Sequence, residues 1–150
     1  MVGDIRNIIV IQSLFDNETK TGADLYNDTI RRKIDYLQPD RIKMKHKFFD
    51  VSSKDEFVTI LEEFQITGEL FEGGVLFHFE MHGLNDLSGL VFSDNSSIDW
   101  FELADLLREI NIIINNNLFV TWQPVMVYIY IKELFIIKKR LILDIFQQVR

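Results

Sequence analysis

GGVLFHFEMHG, Gly73 to Gly83, is the stretch on which the fold turns. Glycine bounds it at both ends, and its interior is apolar enough for a central strand of a sheet. Upstream, Asn7–Phe15 (NIIVIQSLF) is a mostly apolar, β-branched run. Such a run reads as a strand buried on both faces, as parallel sheets require. Lys43–Val51 alternates through Met44, His46 and Phe48 and reads as a second strand. Downstream, Gly89–Ser93 reads as a short extended piece, and Leu118–Trp122 (LFVTW) as another strand.

Helical spacing fills the gaps. Tyr26, Ile30, Ile34 and Leu37 recur on one helix face after the polar loop Asp16–Gly22, and Pro39 ends the pattern. Ser53 and Glu56 make a capping-box pair ahead of Phe57, Ile60, Leu61 and Phe64. Asp99 caps a third helix with Leu103, Leu106, Leu107 and Ile110 toward the core, and Asn115–Asn117 breaks it. Strands alternating with helices predict an α/β three-layer sandwich around a mainly parallel, doubly wound sheet. Ligands and catalytic groups of such sheets sit at the carboxyl ends of the strands.

The 150 residues suffice for one buried core, and the 13 Phe predict one rich in aromatic rings. A net charge of −7 argues against nucleic acid and anionic membranes as partners. No secretory signal is visible in MVGDIRNIIVIQS, and the longest apolar stretch, near Pro124–Ile131, is far below the ~20 residues of a membrane span. With no Cys, disulfides, thiolate metal sites and thiol nucleophiles are excluded, and a cytoplasmic location is expected.

Chemistry concentrates in VLFHFEMHGL, Val75 to Leu84, where an apolar strand ends in His82-Gly83. A short extended run, a helix and the strand Leu118–Thr121 follow in that order. Over roughly Ile8 to Thr121, this order resembles the caspase-like (clan CD) cysteine peptidases, and among them the bacterial CHAT-type domains. There an apolar strand ends in His-Gly, a small extended segment and a helix follow, and the next strand delivers the catalytic Cys. The resemblance implies peptide-bond hydrolysis by a Cys–His dyad. His82 would draw the proton from the thiol, and the backbone N–H of Gly83 would help form an oxyanion hole. Read without the resemblance, His82 is a strand-end histidine and Gly83 a turn.

The departure is the nucleophile. After Leu118–Thr121 the chain reads Trp122-Gln123-Pro124-Val125-Met126 and supplies no thiol. Thr121 is the nearby hydroxyl, and nothing in the sequence marks it as activated. The genetic code offers an origin. Read one base earlier, the codons of Thr121 to Met126 give Ala, then Thr or Ala, then a codon that is Cys if the Pro124 codon ends in T, then one variable residue and Gly. That resembles the Ala-Cys-x-Gly surround of the family's nucleophile. Residues 1–121 are therefore read as the caspase/CHAT-like domain and 122–150 as an atypical segment translated out of frame. That segment lacks Gly, Ser, Thr beyond the strand, and Asn, and its Ile and Leu offer a surface for self-association.

Other constellations are weaker. His78, Glu80 and His82 share one strand face, but ~13 Å between the two histidines is too far for one metal ion. No phosphate-cradling glycine motif occurs, so no cofactor is expected. His46, among Lys43, Lys45 and Lys47, reads as a solvated strand face, and Trp100 as core. The functional expectation is a catalytically inactive or truncated relative of a cysteine endopeptidase with a peptide or protein as partner. A non-enzymatic protein-interaction module and an unrelated flavodoxin-like binding domain are the alternatives.

Overall fold

The structure, a computed structural model, describes residues 4–37, 44–68 and 71–122. The segment 123–150, read above as out of frame, lies outside the described residues. Four strands, β1 (Ile5–Ser13), β2 (Lys45–Asp50), β3 (Gly74–Gly83) and β6 (Leu118–Trp122), run parallel in the order β2-β1-β3-β6. Two short strands, β4 (Gly89–Val91) and β5 (Ser97–Asp99), extend the sheet antiparallel from the carboxyl end of β3. The expected bounds of the four parallel strands differ from these by at most two residues at any end. Strand β5 is too short and polar to announce itself, since only Ile98 is buried in it.

The side chains of β1 and β3 explain the layers. Ile9, Ile11, Val75, Phe77, Phe79 and Met81 pack on one face against Phe57, Leu61 and Phe64 of α3 (Lys54–Thr67) and Leu103, Leu107 and Ile110 of α4 (Trp100–Ile113). Period-two alternation sends the intervening residues to the other face. There Gln12 and Glu80 meet a helical segment made of α1 (Thr21–Asp24), a π-helical stretch Leu25–Arg31 and α2 (Arg32–Leu37). Helices thus cover both faces of a mixed α/β sheet. The chain steps outward from β1 to β2, then returns past β1 to β3, so the strand order reverses between β1 and β3. Switching faces at that reversal keeps each parallel crossover right-handed.

Local chemistry ends the elements where the pattern predicts. The Ser53 hydroxyl accepts the Glu56 N–H at 3.2 Å, while the Glu56 carboxylate reaches back to the Ser52 N–H at 2.7 Å. Asp99 accepts from the N–H groups of Phe101 and Glu102. Asn115 and Asn116 adopt φ of 56° and 61°, the left-handed region that stops α4. Gly22 lets α1 press onto the sheet. A Cβ there would lie 2.9 Å from Gln12 Oε1 and 3.0 Å from Glu80 Cβ.

No helix of the described residues is long and apolar enough to cross a membrane.

Candidate functional site at the carboxyl ends of strands β1 and β3

In an open parallel sheet the crevice lies where neighbouring crossovers leave on opposite faces, outside the carboxyl ends of the strands. Here that point falls between β1 and β3. Their pairing stops at Ser13↔Met81, and β3 runs on through His82 and Gly83. Beyond the last β1 pairing, β3 is held by β4 instead, with His82 opposite Val91 and Gly83 opposite Leu90.

The polar loop after β1 supplies the partner of His82. The Glu18 carboxylate lies 2.8 Å from His82 Nε2 and also accepts the Phe15 N–H at 2.8 Å. The Phe15 ring stacks on the imidazole, with centroids 5.5 Å apart. Lys20 caps the loop by donating from Nζ to the carbonyls of Leu14 and Phe15. The hydrogen bond to His82 is the main cause that lowers the Glu18 carboxyl below its ordinary 4.5. Burial opposes it, while the Phe15 N–H and the charges of His82 and Lys20 reinforce it. An ionised Glu18 takes the Nε2–H, which in a neutral ring leaves the lone pair on Nδ1. The ring therefore presents Nδ1 as an acceptor, with the Glu18 carboxylate on the opposite nitrogen.

Gly83 is oriented by the hairpin. The Leu84 N–H donates to the Gly89 carbonyl at 2.8 Å. Antiparallel pairs alternate between bonded and non-bonded, so the Gly83–Leu90 pair is the non-bonded one. The Gly83 N–H consequently points away from β4, toward the β6 side of the strand, as the Val75 N–H does toward Asn117.

Thr121 does not join this group. It stands opposite His78 on the neighbouring strand, with Oγ1 3.0 Å from His78 Nδ1. Four strand residues, ~13 Å, separate that level from His82. The hydroxyl closest in register to His82 is Ser13, opposite Met81, but it is 1% exposed and its Oγ accepts the Ser93 N–H at 3.0 Å. Neither is a presented nucleophile.

The other face-sharing residues form a structural network. His78 Nε2 lies 3.3 Å from Glu80 Oε2, and the second Glu80 oxygen accepts the Thr21 hydroxyl. No group of three His, Asp or Glu able to hold a metal occurs among the described residues. His46 departs from its expectation as a solvated strand face. The Tyr26 hydroxyl lies 2.8 Å from its Nδ1 and Asp35 lies 3.2 Å from its Nε2, which pins the helical segment to β2. Trp100 is half-buried and stacks on Trp122 at 5.5 Å.

Glu18 is the site residue that the sequence pattern missed. It lies in a polar loop, 64 positions from His82, and no motif links the two. Its lowered carboxyl has a measurable consequence. A carboxyl whose folded value lies below its unfolded value adds stability above the unfolded value and loses it as pH falls through the folded one. Wild type will therefore be more stable than Glu18→Gln near neutral pH, and the gap will close as pH drops below about 4.5. Urea titrations of both proteins across that range measure it. A gap that is constant with pH would show that the carboxylate charge contributes nothing.

No family model matches the chain, and no curated protein matches it.

Proposed function

We propose that this chain is a catalytically inactive relative of the caspase/CHAT-like cysteine endopeptidases, a three-layer α/β domain whose cleft holds a peptide without cutting it. The observation that carries the reading is the setting of His82-Gly83. A histidine at the carboxyl end of a central strand, beyond the pairing of its neighbour, has a carboxylate behind Nε2, and the N–H of the next residue turns toward the β6 side, where the following strand ends. A base and an oxyanion donor are needed side by side in acyl transfer. A strand-end histidine with a merely structural role has no need of both.

The missing component is the thiol. In an intact parent, Cys would give its proton to His82 Nδ1, attack the peptide carbonyl and leave the oxyanion facing the Gly83 N–H. Glu18 would stabilise the imidazolium, which then returns the proton to the leaving amine. Register supports this geometry. In a parallel pair the level of His82 is reached three residues past the Trp122 level, because Trp122 stands opposite Phe79. The hidden Cys codon falls at that offset, at position 125 in the chain's numbering.

Two measurements test the reading. Turnover of a fluorogenic peptide library by this chain will match the background without enzyme, and His82→Ala will leave it unchanged. Turnover that disappears in His82→Ala would reveal a different nucleophile. The coding DNA will show a Pro124 codon ending in T, and the product restored to the earlier frame will hydrolyse peptides in a His82-dependent manner. Any other base removes the hidden thiol and leaves the chain as a Cys-free interaction module.

A further inference from the structure

The sequence between residues 31 and 47 contains seven Lys or Arg against two Asp, in a chain whose net charge is −7. The described part of this basic island lies on the π-helical stretch, α2 and β2, remote from His82. Strand β2 is an edge strand: among the described residues it pairs only with β1. Beside it a groove of about 590 Å³ runs between β2 and the carboxyl half of α3. Phe49, Phe64 and Phe71 form its apolar wall, and Ile66, 82% exposed, stands on its rim.

The backbone of β2 is oriented for a further strand. The Val51 N–H donates to the Gln12 carbonyl at 2.9 Å. Alternate residues of a parallel strand turn both backbone groups to the same neighbour, so Lys45, Lys47 and Phe49 face β1. His46 and Phe48 therefore direct N–H and C=O outward. The side chains of Lys45 and Lys47 are exposed and line the groove two residues apart, and neither is in an ion pair among the described residues. Lysines on an edge strand discourage pairing with an uncharged or basic edge. The same two charges, ~7 Å apart, match carboxylates at alternate positions of an incoming strand.

We propose that the edge of β2 that is unpaired among the described residues is a docking edge for an extended acidic peptide segment of a partner protein, which adds to the sheet as a further strand. Main-chain bonds to His46 and Phe48 supply the pairing, and Lys45 and Lys47 select for acid. Side chains between the carboxylates turn to the opposite face, where Phe48 packs against Tyr26, and an apolar side chain two positions past the carboxylates would meet Phe49, Phe64 and Ile66. A polyanion such as single-stranded nucleic acid fits less well. A phosphate backbone has no N–H and C=O groups to form a β-ladder with His46 and Phe48. This site is separate from the His82 cleft and does not depend on how that cleft is read.

The experiment uses the full chain and three labelled probes: a peptide alternating Glu and Val, one alternating Lys and Val, and a thymidine oligonucleotide. Fluorescence anisotropy reads binding, and NMR amide exchange reads strand addition. The Glu-Val peptide will bind saturably, the Lys-Val peptide will not, and the double variant Lys45→Glu/Lys47→Glu will weaken binding at least about tenfold. Exchange will slow at the His46 and Phe48 amides, whereas those of Lys45, Lys47 and Phe49 are protected beforehand. Circular dichroism checks that the variant folds, and Lys45→Gln/Lys47→Gln replaces it if it does not. Four results overturn the proposal: no saturable binding of the Glu-Val peptide, binding without slowed exchange at His46 and Phe48, stronger binding of the oligonucleotide, or a concentration-dependent dimer that the double variant abolishes.

Discussion

Phe57→Ala will lose about 3–5 kcal/mol of folding stability, the largest effect of a single core truncation expected in this chain. Phe57 is fully buried, and it joins elements that are distant in sequence. Its ring meets Phe79 of β3 edge-on at 5.4 Å and Phe92, just after β4, at 5.3 Å. Removing it deletes apolar contacts and leaves a cavity lined by rings that cannot close over it. A domain of this size has a total stability of about 5–15 kcal/mol, so the variant sits near the limit of folding. Thermal unfolding should show a fall of about 10 °C or more. Phe57→Leu keeps most of the volume and will cost much less. A Phe57→Ala protein with an unchanged midpoint would mean that α3 does not seal the sheet as described.

Gly89→Ala will damage the hairpin that holds the end of β3. A Cβ at Gly89 would lie 2.0 Å from the Ile98 carbonyl oxygen and 2.8 Å from the Asp99 Cα. These are backbone atoms of β5, so no rotamer change relieves the overlap. The cost will exceed the about 1–3 kcal/mol of ordinary core overpacking, or the β4–β5 pairing will open. The consequence reaches the candidate site. Gly89 accepts the Leu84 N–H, and β4 holds His82 and Gly83 through Val91 and Leu90. Hydrogen exchange will therefore rise at Leu84 and across β4 and β5, and the His82 ring resonances will shift. Exchange that stays at the wild-type rate in Gly89→Ala would show that the hairpin tolerates the methyl group.

The pairing of Lys54 with Glu102 at 2.7 Å joins the starts of α3 and α4, but both groups are partly exposed and its deletion will matter far less than either change above.

The sequence by itself determined what short-range chemistry controls. The apolar runs announced β1 and β3, Ser53 and Asp99 marked the starts of α3 and α4, and the asparagines marked the end of α4. These signals are legible because period and capping depend on residues a few positions apart. Composition alone also determined that no thiol chemistry is available to this chain. Only the tertiary structure decided which polar groups meet. It gave His82 the carboxylate of Glu18, drew Thr121 to His78 instead, and tied His46 to Tyr26 and Asp35. It also turned the Gly83 N–H away from β4 and, among the described residues, left one edge of β2 unpaired. Each of these depends on strand order and register, and register is set by how two apolar faces fit across the whole sheet. A polar loop such as Asp16–Lys20 carries no period, so nothing in its own sequence shows which strand end it will cover.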